Sequence, residues 1–244
     1  MKSESDFNLK IKDFDLNNPE LKKTYNKELF SEVSKQYDRA TVFLSFGCDK
    51  AWKRILIKGL PSSENPTVLD LACGTGDITQ ALITQYPNGK VIGLDLNTEM
   101  LEVAKKKGIQ AQFVVCDMNQ TPFADNSVDI LTGGYALRNS PELPTALREF
   151  YRIMKPEGHA AFLDFSKPVN RTLQRLQHFS LKLWGNLWGL IFHSNAEVYG
   201  YIADSLKLFP DRKRLEHMLA ETGFSHIKTK TLFFGFIGIV SFTK

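Results

Sequence analysis

Three carboxylates stand in or just beyond short apolar runs: Asp70 within Val68-Leu-Asp-Leu71, Asp95 closing Val91-Ile-Gly-Leu-Asp95, and Asp117 following Phe113-Val-Val-Cys116. After the first run comes Gly74-Thr-Gly76, and then Ile78, Ala81, Leu82 and Tyr86 recur at helical spacing. The runs read as buried parallel strands, and the glycines let the backbone pass close to a ligand. A helix opening at Asp77 turns its free N–H groups toward the same place. The chemistry this predicts is the holding of a nucleotide-like cofactor. Any one of the acids alone reads equally well as a helix N-cap, but three at strand ends beside a glycine turn do not. A dinucleotide fingerprint would carry a third glycine where this chain has Thr79, and no Tyr-x-x-x-Lys or other hydride-transfer set accompanies it.

The elements that position these residues follow from the pattern of apolar residues. Residues 1–17 are polar and without period, so a disordered or loosely attached tail is expected there. Residues 18–244 read as a single domain. Its first part, 18–60, holds two helices that could cap the cofactor: one from Pro19 with the stripe Leu21, Tyr25, Leu29, Val33 and Tyr37, the other with Trp52, Ile55, Leu56 and Leu60. Strands are expected at Val68–Leu71, Val91–Asp95, Phe113–Cys116, Ser127–Thr132 and Ala160–Phe165, with helices between them, the last from Pro141 to Lys155 and stopped by Pro156-Glu157-Gly158. That alternation predicts a parallel α/β sheet of Rossmann-like type with right-handed crossovers. The ending differs: a helix from Asp211 to Thr222, then two strands, Ile227–Leu232 and Phe236–Phe242.

Composition excludes several classes. A formal charge of +4 with no lysine/arginine run gives no reason to expect nucleic acid. Three scattered cysteines and five histidines without ligand spacing suggest neither a disulfide framework nor a metal site. The N-terminus is polar, and the longest apolar stretch, Leu181 to Phe192, is interrupted by Lys182, Gly185, Asn186 and Gly189. Neither a signal peptide nor a spanning helix is expected, and the reading is of a cytoplasmic protein.

The spacing Asp70-x-x-x-Gly74-x-Gly76, with a terminal antiparallel hairpin, resembles class I methyltransferases that use S-adenosyl-L-methionine (SAM). That resemblance implies that Asp95 accepts the ribose hydroxyls and Asp117 accepts from the adenine amine, with Met118 over the ring and Leu96 beside it. Asp70 would hold the turn or meet the amino group. The match narrows at Leu137-Arg-Asn139 after strand four and Phe165-Ser-Lys-Pro168 after strand five. With Tyr37-Asp38, Leu44-Ser-Phe-Gly47, Trp52-Lys-Arg54, Pro122-Phe123, Asp125-Asn-Ser127 and Tyr199-x-Tyr201-x-Ala203-Asp-Ser205, the chain resembles the ubiquinone/menaquinone C-methyltransferase (UbiE-type) family from about Lys35 onward. Three places depart from that pattern: Thr41, Gly200 and Val240-Ser241.

The resemblance implies methylation of a quinol or other phenolic ring carbon. Arg138 would stabilise the ring oxyanion, Asn139 and Tyr201 would orient hydroxyls and a water, and Tyr37 would join the cofactor side. Beside each stands a plainer reading: a salt bridge for Arg138, a cap of the helix at Pro141 for Asn139, the end of an apolar stripe for Tyr37. The alternatives for the whole chain are a UbiE-like enzyme acting at carbon, oxygen or nitrogen of another small molecule, and a non-catalytic partner subunit of the same fold. Base-amino methyltransferases usually carry an Asp/Asn-Pro-Pro-aromatic stretch where this chain has Gly133-Gly-Tyr-Ala136.

Residues 167–207 form an insertion expected to cover the acceptor. Between Asp164 and Glu197 there is no acid. Lys167, Arg171, Arg175 and Lys182 fall on one helical side, and Leu173, Leu176, Leu183 and Leu187 on another, with Phe179, Trp184 and Trp188 nearby. Such a segment, 167–192, suits peripheral contact with an anionic membrane, or equally burial in a core or a homodimer; Gly185 and Gly189 weaken a continuous helix.

Overall fold

In the computed structural model, residues 10–244 are described. Five parallel strands, β1 (Thr67–Leu71), β2 (Lys90–Asp95), β3 (Gln112–Val115), β4 (Val128–Gly134) and β5 (Met154–Phe165), run in the order β3-β2-β1-β4-β5. The hairpin of β6 (Ser225–Leu232) and β7 (Ile237–Thr243) completes the sheet, with β7 antiparallel to β5. The chain moves outward from β1 through β2 to β3 and then returns to β4 on the other side. A crevice therefore opens beyond the carboxyl ends of β1 and β4, the usual ligand position of open α/β sheets.

Helices α4 (Asp77–Gln85), α5 (Thr98–Lys106), α6 (Leu143–Ile153) and α9 (Arg212–Thr222) flank the sheet. One core joins Leu147, Phe150, Leu215 and Leu219 to the strands, and a second joins Ile78 and Leu82 to Trp52 and Leu56 of α3 (Asp49–Lys58). A third cluster joins Tyr25, Leu29 and Val33 of α1 (Pro19–Val33) to Val198, Tyr199 and Tyr201 of α8 (Glu197–Leu208). The N-terminal helices and the insertion, made of α7 (Arg171–His193) and α8, thus close over one end of the sheet.

Several expectations need correction. Residues 10–17 are not loose: Ile11 N donates to Glu197 Oε2 at 2.6 Å, and the Phe14 ring packs on Tyr25 at 5.2 Å. Residues 1–9 lie outside the described part. Tyr37 does not extend the stripe of α1; it opens α2 (Tyr37–Leu44), which periodicity missed. Residues four apart drift by roughly 40° per step around a helix, so Leu21 and Tyr37 could not share one face; Leu21 is exposed. Helix α6 starts at Leu143 rather than Pro141, and β5 starts at Met154. Pro156-Glu157-Gly158 bends that strand instead of preceding it, with Glu157 at φ 61°.

Candidate active site

The turn after β1 is built for close approach. Gly76 has φ 84°, and a Cβ there would stand 2.5 Å from Ile109 Cδ1. Asp95, at the end of β2, ties this turn to the next: its Oδ2 accepts from Gly74 N and its Oδ1 from Asn97 N, both at 2.8 Å. Burial pushes its carboxyl up to about 6 against those amide bonds. Asp70 is wholly buried in β1. Its Oδ2 accepts from Thr79 Oγ1 at 2.6 Å, which gives a role to the residue that replaces the third glycine. Its Oδ1 has no partner among the described residues, and desolvation pushes the carboxyl up to about 7.

Two cavities meet beyond these strand ends. The smaller is lined by Gly74, Asp95, Leu96, Asp117 and Met118 on the sheet side and by Tyr37 and Tyr135 opposite. A recess beside it, with Asp70, Cys73 and Gly74 in its wall, shares Tyr37 and Tyr135. These residues fit SAM: the unpartnered, buried Oδ1 of Asp70 suits an ammonium group, and Asp95 and Asp117, at and just beyond the ends of the neighbouring strands β2 and β3, offer further acceptors. Asp117 already pairs with Lys23 at 2.7 Å. The larger cavity, about 380 Å³, is walled by Phe46, Trp52, Phe165, Trp184 and Phe233, with Arg138, Asn139 and Tyr201 among its polar groups. Tyr37, Tyr135 and Asn139 line both cavities. A group handed from one to the other passes there.

The three acceptor-side residues come together, though not all as expected. Arg138 is buried; its Nη1 donates to Ser205 Oγ, and its guanidinium carbon stands 5.3 Å from the Phe165 ring centroid and 5.7 Å from that of Tyr201. The plainer reading is also present, since Nε lies 3.6 Å from Asp164 Oδ1 and the Arg138 amide donates to Asp164 Oδ2 at 3.0 Å. Burial raises the Asp164 carboxyl, and Arg138 opposes the rise. Asn139 caps nothing, because the N-cap of α6 is Glu142. Its Nδ2 instead donates to Tyr135 O at 2.9 Å, and its Oδ1 lies 3.3 Å from Tyr201 Oη. Burial pushes the Tyr201 phenol up to about 12, so it is a neutral donor near neutral pH.

Sequence reading missed a second polar group at the junction. Tyr135 Oη donates to Asp49 Oδ1 at 2.7 Å, and Lys53 pairs with Asp49 at 2.7 Å and with Asp77 at 3.1 Å. Tyr135 sits at φ 59°, and its neighbour Gly134 has no room for a Cβ, which would meet Ile78 Cδ1 at 2.6 Å. The only trace in the sequence was the pair Gly133-Gly134 before it. No group of three acids, cysteines or histidines suited to a metal occurs among the described residues.

Residues 18–244 match the ubiE/COQ5 methyltransferase family. The chain belongs to that family. It is 35% identical over 207 residues to the demethylmenaquinone methyltransferase of Lactobacillus johnsonii, covering 82% of this chain and 84% of the relative. To that of Staphylococcus aureus it is 34% identical over 214 residues, covering 84% and 89%. In fold it is similar to a SAM-dependent methyltransferase of Thermotoga maritima, with TM-score 0.63, 18% identity and coverage of 89% and 99%. A SAM-dependent methyltransferase of Aquifex aeolicus gives 0.56, 19%, and 78% and 88%. The protein is therefore a SAM-dependent methyltransferase of class I fold.

Proposed function

We propose that this methyltransferase methylates a ring carbon of a reduced, prenylated quinone. The observation that carries the reading is the larger cavity, apolar and aromatic for most of its wall, with Arg138, Asn139 and Tyr201 as polar groups in that wall and Asn139 at its junction with the cofactor cavity. Its relatives are demethylmenaquinone methyltransferases, and a ring on a long apolar tail suits such a wall. Bound SAM supplies an electrophilic methyl group. Arg138 stabilises the oxyanion of the ring hydroxyl, which makes the adjacent carbon electron-rich. Tyr201 and Asn139 orient that hydroxyl, and the apolar wall excludes water. Of the three departures from the family pattern only Thr41 lines this cavity; Gly200 is packed in α8 and Val240-Ser241 pair with β5, which favours the quinol over another acceptor.

On the cofactor side, Asp70 takes the amino group, Asp95 the ribose and Asp117 the adenine amine, with Gly74 and Gly76 giving approach and Tyr37, Leu96 and Met118 enclosing it. We also place the protein in the cytoplasm at the membrane surface, touching lipid through 167–192, with a homodimer as the competing use of that face. The deciding experiment supplies labelled SAM and dithionite-reduced demethylmenaquinone of short tail, and locates the label by mass spectrometry. Label on the ring carbon is expected; label on oxygen, or on an added amine or simple phenol but never on the quinol, overturns the reading.

A further inference from the structure

Helix α1 precedes the glycine turn and the Leu137-Arg-Asn139 segment by far in sequence, yet its polar face reaches the loop after β4 at three successive peptide groups. Lys22 Nζ donates to Arg138 O at 3.0 Å and to Ser140 O at 2.6 Å. Asn26 Nδ2 donates to Asn139 O at 2.8 Å. Three successive carbonyls between β4 and α6, those of Arg138, Asn139 and Ser140, are thus held by two side chains four residues, one helical turn, apart. Asn26 does more: its Oδ1 accepts from Tyr201 Oη at 2.6 Å, so one amide fixes both the loop and the phenol that faces it. Both residues are buried, where a donor left without its acceptor is costly, and each makes two of these bonds.

Burial lowers the Lys22 ammonium to about 8, and the Arg138 guanidinium adds to the lowering. A lysine placed beside an arginine, out of water, is not what packing alone would select. Between them in sequence, Lys23 pairs with Asp117, and Lys23 and Asn26 both line the cofactor cavity.

We propose that Lys22 and Asn26 are positioning residues for methyl transfer, α1 holding the Arg138–Ser140 loop by its carbonyls and Tyr201 by its hydroxyl. This rests on the acceptor role of Arg138, Asn139 and Tyr201 given above. Neither side chain touches a reacting atom; both act by fixing groups that do.

The test compares Lys22→Met, Asn26→Leu and the milder Asn26→Asp, which keeps the acceptor for Tyr201 but loses the donor to Asn139 O. The readouts are kcat and KM with short-tail reduced demethylmenaquinone, calorimetric affinity for S-adenosylhomocysteine, and deuterium exchange of the 136–142 segment. Expected in Lys22→Met and Asn26→Leu are a fall in kcat of tenfold or more and faster exchange confined to 136–142, with 70–80 unchanged; in Lys22→Met, whose residue does not line the cofactor cavity, cofactor affinity stays within about threefold of wild type. Asn26→Asp falls between. Unchanged kcat per folded molecule, or unchanged exchange in 136–142, overturns the proposal. If wild type methylates no quinol, the functional reading fails, and the exchange measurement still decides whether α1 holds the loop. Should Asn26→Leu not fold, Asn26→Asp and Lys22→Met carry the test.

Discussion

Asp70 shows how burial can make one carboxylate serve stability and binding in opposite directions. Its folded value, about 7, lies above the ordinary carboxylate range. An acid raised on folding stabilises fully below its unfolded value and loses that contribution as pH rises through the folded one. Asp70→Asn is therefore expected to leave stability near wild type at pH 4 and to raise it at pH 8 by on the order of 2–4 kcal/mol. Urea unfolding at the two pH values measures this, and a gain independent of pH would refute the linkage. Binding runs the other way: the anion is what an ammonium group needs, so SAM affinity should climb between pH 6 and 8 in wild type and stay flat and weak in the variant. At Arg138 the expectation is a split between affinity and rate. Arg138→Lys should bind SAM as wild type does but lose on the order of a hundredfold in kcat, because a point charge does not replace the planar fork that reaches Ser205 and stacks between Phe165 and Tyr201. Normal methylation by that variant would leave Arg138 as a structural cation. The acids at strand ends were legible in the sequence because the backbone places them within one short motif each. Tyr135 and Asp49 were not, since their bond joins residues 86 apart and neither has a pattern of its own.

Among the elements, α7 was read least well. Its two glycines suggest a broken helix, yet α7 runs unbroken for 23 residues. The reason lies in the partner: a Cβ on Gly185 would stand 2.5 Å from Tyr199 O, and one on Gly189 would stand 2.5 Å from Asn195 O. The glycines give up roughly 1 kcal/mol each of helix propensity so that α7 and α8 can pack backbone to backbone. Periodicity reports which face of a helix is apolar but not how near its neighbour comes. Gly185→Ala, ordinarily favourable in a helix, is thus expected to destabilise by roughly 1–3 kcal/mol through overpacking. Because α8 carries Tyr201, KM for the quinol should rise more than the dissociation constant for SAM. A melting temperature at or above wild type would show that the two helices can separate without cost. The sheet elements, apart from the first half of β5, were legible to within a few residues, because buried strands need continuous apolar runs and their turns need glycine or proline.

The whole molecule presents a face that folding leaves unused. On the side of α7 turned away from α8, Leu173, Leu176, Phe179, Leu183, Leu187, Leu190 and Ile191 are between 45% and 67% exposed. Val42, Phe43 and Phe46 are exposed on the neighbouring α2 and its turn, and Phe234, at the tip of the β6–β7 hairpin, is 98% exposed. The Phe46 ring stacks with Trp184 on one side and with Phe233 on another, 4.7 Å and 5.9 Å between centroids, and all three line the larger cavity. The exposed apolar surface therefore continues into the cavity wall. No helix among the described residues is long and apolar enough to cross a membrane. Two of the four basic residues expected at that surface are engaged elsewhere: Lys167 donates to Lys207 O and Phe209 O, and Lys182 pairs with Asp204. Arg171 and Arg175 remain exposed, worth about 1 kcal/mol each toward anionic lipid, so apolar insertion must supply most of the affinity. A second copy seated on this face would cover the aromatic approach to the cavity, whereas a lipid surface would deliver a tailed ring to it. Sedimentation with anionic and neutral vesicles at low and high salt, beside ultracentrifugation of the free protein, separates these uses. Leu183→Glu/Leu187→Glu should abolish vesicle binding at any salt, while Arg171→Glu/Arg175→Glu should remove only the preference for anionic vesicles and its salt dependence. Wild type that ignores vesicles of either kind, and forms a dimer that the leucine substitutions split, would assign the face to a second copy.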